Sequence, residues 1–243
     1  MNDPISNRAA ALRAELLQRV GPCREPRLTL PESGVALNLT QPTDFDALLE
    51  AAAADPEQNL PYWAEIWPSG IALADEILAQ PELVRTKPVL EIGSGLGVTA
   101  SAALMVDAAL TIADYSAESL LLCRYNALIN SGREPGALQI NWRDPSPVLR
   151  ELAGSGFPVV LAADVLYESR DIDPLLDLIA WLVAPGGLLW LAEPGRNVAE
   201  RFMERAEERG WSGPVSFHAG PWPDPRDFNV AVTVHQLRRE KPE

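Results

Sequence analysis

Cysteine, histidine and basic residues are all scarce in this chain, and each shortage excludes a class of protein. Cys23 and Cys123 stand far apart, in no C-x-x-C or Cys/His cluster, so neither a disulfide scaffold nor a metal-binding module fits. Both are expected to be reduced thiols, with Cys123 packed on a helix. The two histidines, His218 and His235, fall in expected edge strands without a neighbouring nucleophile and are read as structural. Against 34 Asp and Glu there are only 20 Lys and Arg, giving a net charge of −14. That balance opposes nucleic-acid phosphates and anionic lipid and favours a cationic partner. No apolar run approaches the roughly 18 residues that a membrane helix needs, and Met-Asn-Asp-Pro-Ile-Ser at the start is no basic patch leading into an apolar stretch. A soluble, cytoplasmic protein is expected.

What the chain does have is apolar content, 47% of 243 residues, enough for one sizeable core. The expected division is a helix and hairpin extension over 1–60 and one main domain over 61–243. In the extension, Ile5, Ala9, Leu12, Leu16 and Val20 share a helical face that Gly21-Pro22 ends. Short alternating runs at Arg27–Leu30 and Val35–Leu39 flank Pro31-Glu32-Ser33-Gly34, a hairpin pattern. A further helix is expected after Thr43, with its hydroxyl as cap. From Pro88 the pattern alternates: strands at 88–92, 109–113, 137–142, 158–163 and 187–192, helices at 97–106, 117–131, 171–183 and 197–209. Such alternation specifies an α/β fold, a Rossmann-like, mostly parallel sheet with helices on both faces. Val215–His218 and Phe228–Leu237, with no helix between them, should form an antiparallel pair at one edge.

The most informative segment is Val89-Leu90-Glu91-Ile92-Gly93-Ser94-Gly95-Leu96-Gly97, an apolar strand entering three alternating glycines. Without Cβ atoms the backbone can turn sharply there, and a nucleoside cofactor can lie against it. The dinucleotide fingerprint needs a glycine where this chain has Val98, so S-adenosylmethionine fits better than NAD. Strand 109–113 runs into Asp114, whose carboxylate suits the ribose hydroxyls of an adenosine. After the next strand, Trp142 offers a ring to the adenine face and Asp144 an acceptor for its amine, although core packing suits Trp142 nearly as well. Asp164 and Tyr167 follow strand 158–163, beside the place where a methyl acceptor must arrive. Glu193 ends strand 187–192 and either faces the same cleft or pairs with Arg196. Trp67, in an aromatic cluster with Tyr62 and Trp63, is expected to cover the cofactor or stack near its sulfonium; Trp63 is expected to be core.

Together these residues resemble the seven-stranded, class I S-adenosylmethionine-dependent methyltransferases, and within them the family 16 lysine methyltransferases. The narrower likeness lies in Trp67-Pro68-Ser69-Gly70, in Asn126 and Asn130, and in Asp164-x-x-Tyr167. Pro194-Gly195-Arg196 is similar to the branch that methylates the β-subunit of electron-transfer flavoprotein. The resemblance implies Asp164 and Tyr167 as catalytic residues, no metal, and a cofactor site of Trp67, Glu91, Gly93, Ser94, Gly95, Gly97, Asp114, Tyr115, Trp142 and Ala163. It implies methylation of a lysine on a protein partner. Methylation of a small amine or pyridine, and a non-catalytic cofactor-binding module, are the alternatives.

Overall fold

The computed structural model describes residues 3–55, 57 and 59–239, so Met1 and Glu243, the outer limits of the two expected domain ranges, lie outside it. The chain opens with helix α1 (Pro4–Val20), started by the Asp3 side chain and ended at Gly21. Its Leu12, Leu16 and Val20 are buried while Ile5, at the start of the same stripe, stays exposed. Strand pair β1 (Cys23–Arg24) and β4 (Gln41–Pro42) encloses the hairpin of β2 (Arg27–Thr29) and β3 (Ala36–Asn38). Helix α2 (Phe45–Ala53) follows, capped by the Asp44 side chain through the Ala47 N–H at 3.1 Å. Thr43, expected as that cap, instead donates its hydroxyl to the Pro22 carbonyl at 3.0 Å, which ties the end of α1 to the end of β4.

Helix α3 (Pro68–Ala79) is an element the sequence pattern did not show. It is buried nearly all round, so it has no polar stripe to give a period. The main sheet then begins with β5 (Pro88–Ile92), α4 (Val98–Met105), β6 (Ala109–Asp114), α5 (Ala117–Ser131) and β7 (Gly136–Gln139). It continues through a second unexpected helix, α6 (Pro147–Ala153), then β8 (Phe157–Ala163), α7 (Ile172–Leu182), β9 (Val183–Glu193) and α8 (Asn197–Glu208). Three strands close it: β10 (Trp211–Ser212), β11 (Val215–His218) and β12 (Val232–Arg239). The sheet order is β10-β12-β9-β8-β5-β6-β7, with β11 also paired to β12. Strands β5 to β9 run parallel, whereas β12 lies antiparallel to β9 and carries β10 and β11 on its far side. The expected edge pair is therefore present, but Phe228 lies before β12 rather than within it.

Two apolar clusters cover the two faces. Val89 belongs to the one beneath α3 and α4, while Leu90 and Ile92 belong to the one beneath α7 and α8. In the third, α1 packs Leu12, Leu16 and Val20 on Leu121, Tyr125 and Leu128 of α5, each such buried aliphatic side chain contributing about 1.5–3 kcal/mol. Sheet order reverses at β5, with β6 on one side and β8 on the other. Ligands of open parallel sheets bind outside the strand ends at such a point.

Candidate active site

A cavity of about 520 Å³ opens at the carboxyl ends of β5, β6 and β8, within the range of small-molecule and cofactor sites. Gly93, Gly95, Asp114, Tyr115, Trp142, Ala163, Asp164, Tyr167 and Trp67, all expected at the site, line it. The three glycines of the loop do different things. A Cβ on Gly93 would come within 2.7 Å of the Val165 side chain, and one on Gly97 within 2.8 Å of the Cys123 sulfur. Both are demanded by packing. At Gly95, φ is +48° and a Cβ would meet nothing closer than the Trp63 carbonyl at 3.7 Å, so this residue forms an open floor.

Asp114 ends β6 almost fully buried. Its Oδ1 accepts from the Ser116 N–H at 3.0 Å, and its Oδ2 from the Ser119 hydroxyl at 2.8 Å and the Gly95 N–H at 3.3 Å. Burial pushes this carboxyl up, and those donors pull it back towards the charged form. Oδ1 is the freer oxygen, and a carboxylate has about four acceptor positions in all. Asp114 therefore joins the glycine loop to the start of α5 and keeps room for a further donor.

Three expected cofactor residues do not line the cavity. Glu91 alternates along β5 with Leu90 and Ile92, so it points to the opposite face of the sheet; it is 1% exposed and its Oε2 has no partner among the described residues. Ser94 is buried beneath the loop. Gly97 starts α4 against Cys123. Asp144, the expected acceptor for an adenine amine, also stays outside, its N–H turned back to the Asn141 carbonyl at 3.1 Å.

At the other end of the cavity stands Asp164, one residue past β8, with φ +59°. Its N–H is held by the Ala192 carbonyl at 3.0 Å, its Oδ2 accepts from the Ser69 hydroxyl at 2.9 Å, and its Oδ1 pairs with Arg196. Arg196 thus does not pair with Glu193. That residue turns away, accepting from the Gly195 N–H at 2.6 Å and lying 3.4 Å from His235 Nε2. Tyr167 packs edge-on against Tyr62, ring centroids 5.3 Å apart, and burial, with Asp114, Asp171 and Glu168 adding to it, pushes its phenol well above the usual range. Burial thus favours the neutral phenol, which forms part of the cavity wall. Trp67 is fixed by donating its indole N–H to the Tyr62 carbonyl at 2.8 Å.

Sequence reasoning missed several cavity residues. Trp63 packs against the α1–α5 apolar cluster, as expected, but also lines the cavity, as do Leu48, Ala51 and Ala52 of α2 and Asp55 beyond it. The N-terminal segment therefore supplies a wall, clasped by the Tyr115 hydroxyl donating to Asp55 at 2.7 Å. Arg143 also lines the cavity, between Glu57 at 2.6 Å and Asp171 at 2.6 Å. No group of three His, Cys, Asp or Glu able to hold a metal occurs among the described residues.

The lysine methyltransferase family model matches residues 57–209, more than half of the chain. The chain belongs to the lysine methyltransferase family. The electron transfer flavoprotein beta subunit lysine methyltransferase of Rattus norvegicus is 31% identical over 148 residues, 56% of this chain and 51% of that protein. The EEF1A lysine methyltransferase 3 of Mus musculus is 25% identical over 181 residues, 73% of each. The first bears out the resemblance to the flavoprotein branch, although the match spans about half of that relative's length. The solved structure of the tRNA (m1A58) methyltransferase TrmI from Aquifex aeolicus shares the fold, with a TM-score of 0.51 at 14% identity over 72% of this chain and 71% of that one. S-adenosylmethionine is the cofactor of this family, and the residues present fit it. The open floor at Gly95, the free side of Asp114 and the Trp142 ring border one cavity of sufficient size.

Proposed function

We propose that this protein transfers a methyl group from S-adenosylmethionine to the amine of a lysine side chain on a protein substrate, in the cytoplasm. The observation that carries the reading is that Asp164, a carboxylate anchored by its neighbours, lines the same cavity as the Gly95 floor, one strand away in the sheet. When bound, the cofactor supplies a methyl carbon attached to a good leaving group. The chain has then to align an amine in line with that carbon and to manage one proton.

Asp164 attracts and orients the ammonium as it arrives. A carboxylate beside an amine holds it protonated, so Asp164 is a docking group and not the base. The proton leaves to water before attack, as the aromatic wall of Tyr62, Trp67 and Tyr167 desolvates the amine and lowers its pKa. A net charge of −14 supports a cationic protein segment as partner and weighs against nucleic acid.

The test is incubation of the pure protein with methyl-labelled cofactor and a cell lysate, beside Asp164→Ala. A discrete protein band labelled on lysine, and lost in the variant, is the expected result. Label confined to the small-molecule fraction would overturn the choice of a protein substrate.

A further inference from the structure

The acceptor end of the cavity already contains a cation of the chain's own. Asp164 offers two oxygens, one held by Ser69 and the other paired with Arg196. The Arg196 guanidinium also lies 5.7 Å from the centre of the Trp67 ring. A carboxylate and an aromatic face on one charge are what an alkylammonium needs as well. We propose that Arg196 is the resident cation of the acceptor seat, held by Asp164 and Trp67 until the substrate ammonium displaces it, and so sets which amines gain entry. The proposal rests on the reading of Asp164 as the acceptor side.

Rigidity differs between the two parts. Asp164 is tied into the β8–β9 ladder and is 9% exposed, and Trp67 is pinned at the start of α3 by its bond to Tyr62. Arg196 follows Pro194-Gly195, with Gly195 at φ +75° and nothing within 4 Å of the place a Cβ would take. Its side chain is 32% exposed, open to solvent on one side. Displacement therefore requires the arginine to swing while the seat stays. A weak amine competes poorly with a resident guanidinium. A lysine presented by a docked protein, at high effective concentration, competes well.

The experiment uses the protein saturated with S-adenosylhomocysteine, whose binding is measured first, and titrates n-butylammonium by calorimetry. Failure to bind S-adenosylhomocysteine would sink the methyltransferase reading itself. Given that binding, Arg196→Gln is expected to take n-butylammonium about tenfold more tightly than the parent, the equivalent of losing one partly buried ion-pair competitor, and Asp164→Asn in the same background should remove the gain. Equal or weaker binding in Arg196→Gln, or no binding in either protein, would overturn the proposal and make Arg196 a structural partner of Asp164.

Discussion

Asn126 grips the backbone of Thr40 on both its polar groups. Its Oδ1 accepts the Thr40 N–H at 2.8 Å while its Nδ2 donates to the Thr40 carbonyl at 3.1 Å and to the Leu96 carbonyl at 2.9 Å. One turn on, Asn130 repeats the pattern on Asn38, at 2.8 Å to each group. Two amides of α5 thus stand in for a missing strand beside the β3 edge. Asn126→Ala leaves buried backbone groups without partners and is expected to cost about 2–3 kcal/mol. Urea unfolding checks this, and an unchanged midpoint would contradict the clamp.

The glycines at 95 and 97 should fail in different ways. Gly97→Ala drives a Cβ into Cys123 and should lower the melting temperature, while Gly95→Ala meets only the Trp63 carbonyl, at an ordinary contact distance of 3.7 Å. The second variant pays only about 1–2 kcal/mol for its left-handed backbone and should lose cofactor affinity instead. Thermal melts beside calorimetry with S-adenosylhomocysteine separate the two, and equal behaviour would refute the division of roles.

Glu91 makes the fold sensitive to pH. Burial, and then the charge of Asp114, push its carboxyl well above the ordinary value of 4.5. The folded chain therefore binds a proton that the unfolded chain releases, so stability falls as pH rises from about 4.5 towards the folded value. Glu91→Gln, which carries no titrating proton at that place, is expected to flatten that fall. Urea unfolding at pH 5 and pH 8 measures it. Parallel losses in parent and variant would remove Glu91 as the cause.

Tyr167 is expected to leave the pH dependence of turnover alone. With its phenol held neutral by burial, Tyr167→Phe should lower the rate without moving any limb of the pH–rate profile below pH 10. A limb lost in the variant would make Tyr167 a proton carrier.

What could be read from the sequence follows from where the information lies along the chain. Helix α5 was legible because Ser116 caps it and Gly132 ends it within one local pattern. Helix α3 was not, since it buries even Asp75, whose carboxylate holds the Glu32 and Ser33 N–H groups of the hairpin turn at 3.0 and 2.9 Å. Helix α6 has seven residues, too few to display a period. At the site, Gly95, Asp114 and Asp164 were legible because strand ends mark them. The partner of Arg196 was not: Glu193 was the neighbour in sequence, whereas folding chose Asp164, 32 positions away. Asp55 and Trp63 belong to a wall that only tertiary packing creates.

Because β5 and β8 are adjacent parallel strands, the floor proposed for the cofactor and the seat proposed for the amine grow from different loops a single strand spacing apart. The donor half depends on the turn after β5 and the end of β6, the acceptor half on residues after β8 and β9. On that proposal, drift in the second set would redirect the protein to a new amine while the first set stays as it is. The architecture is therefore modular along its sheet edge, and substrate choice can evolve without rebuilding the chemistry beside it.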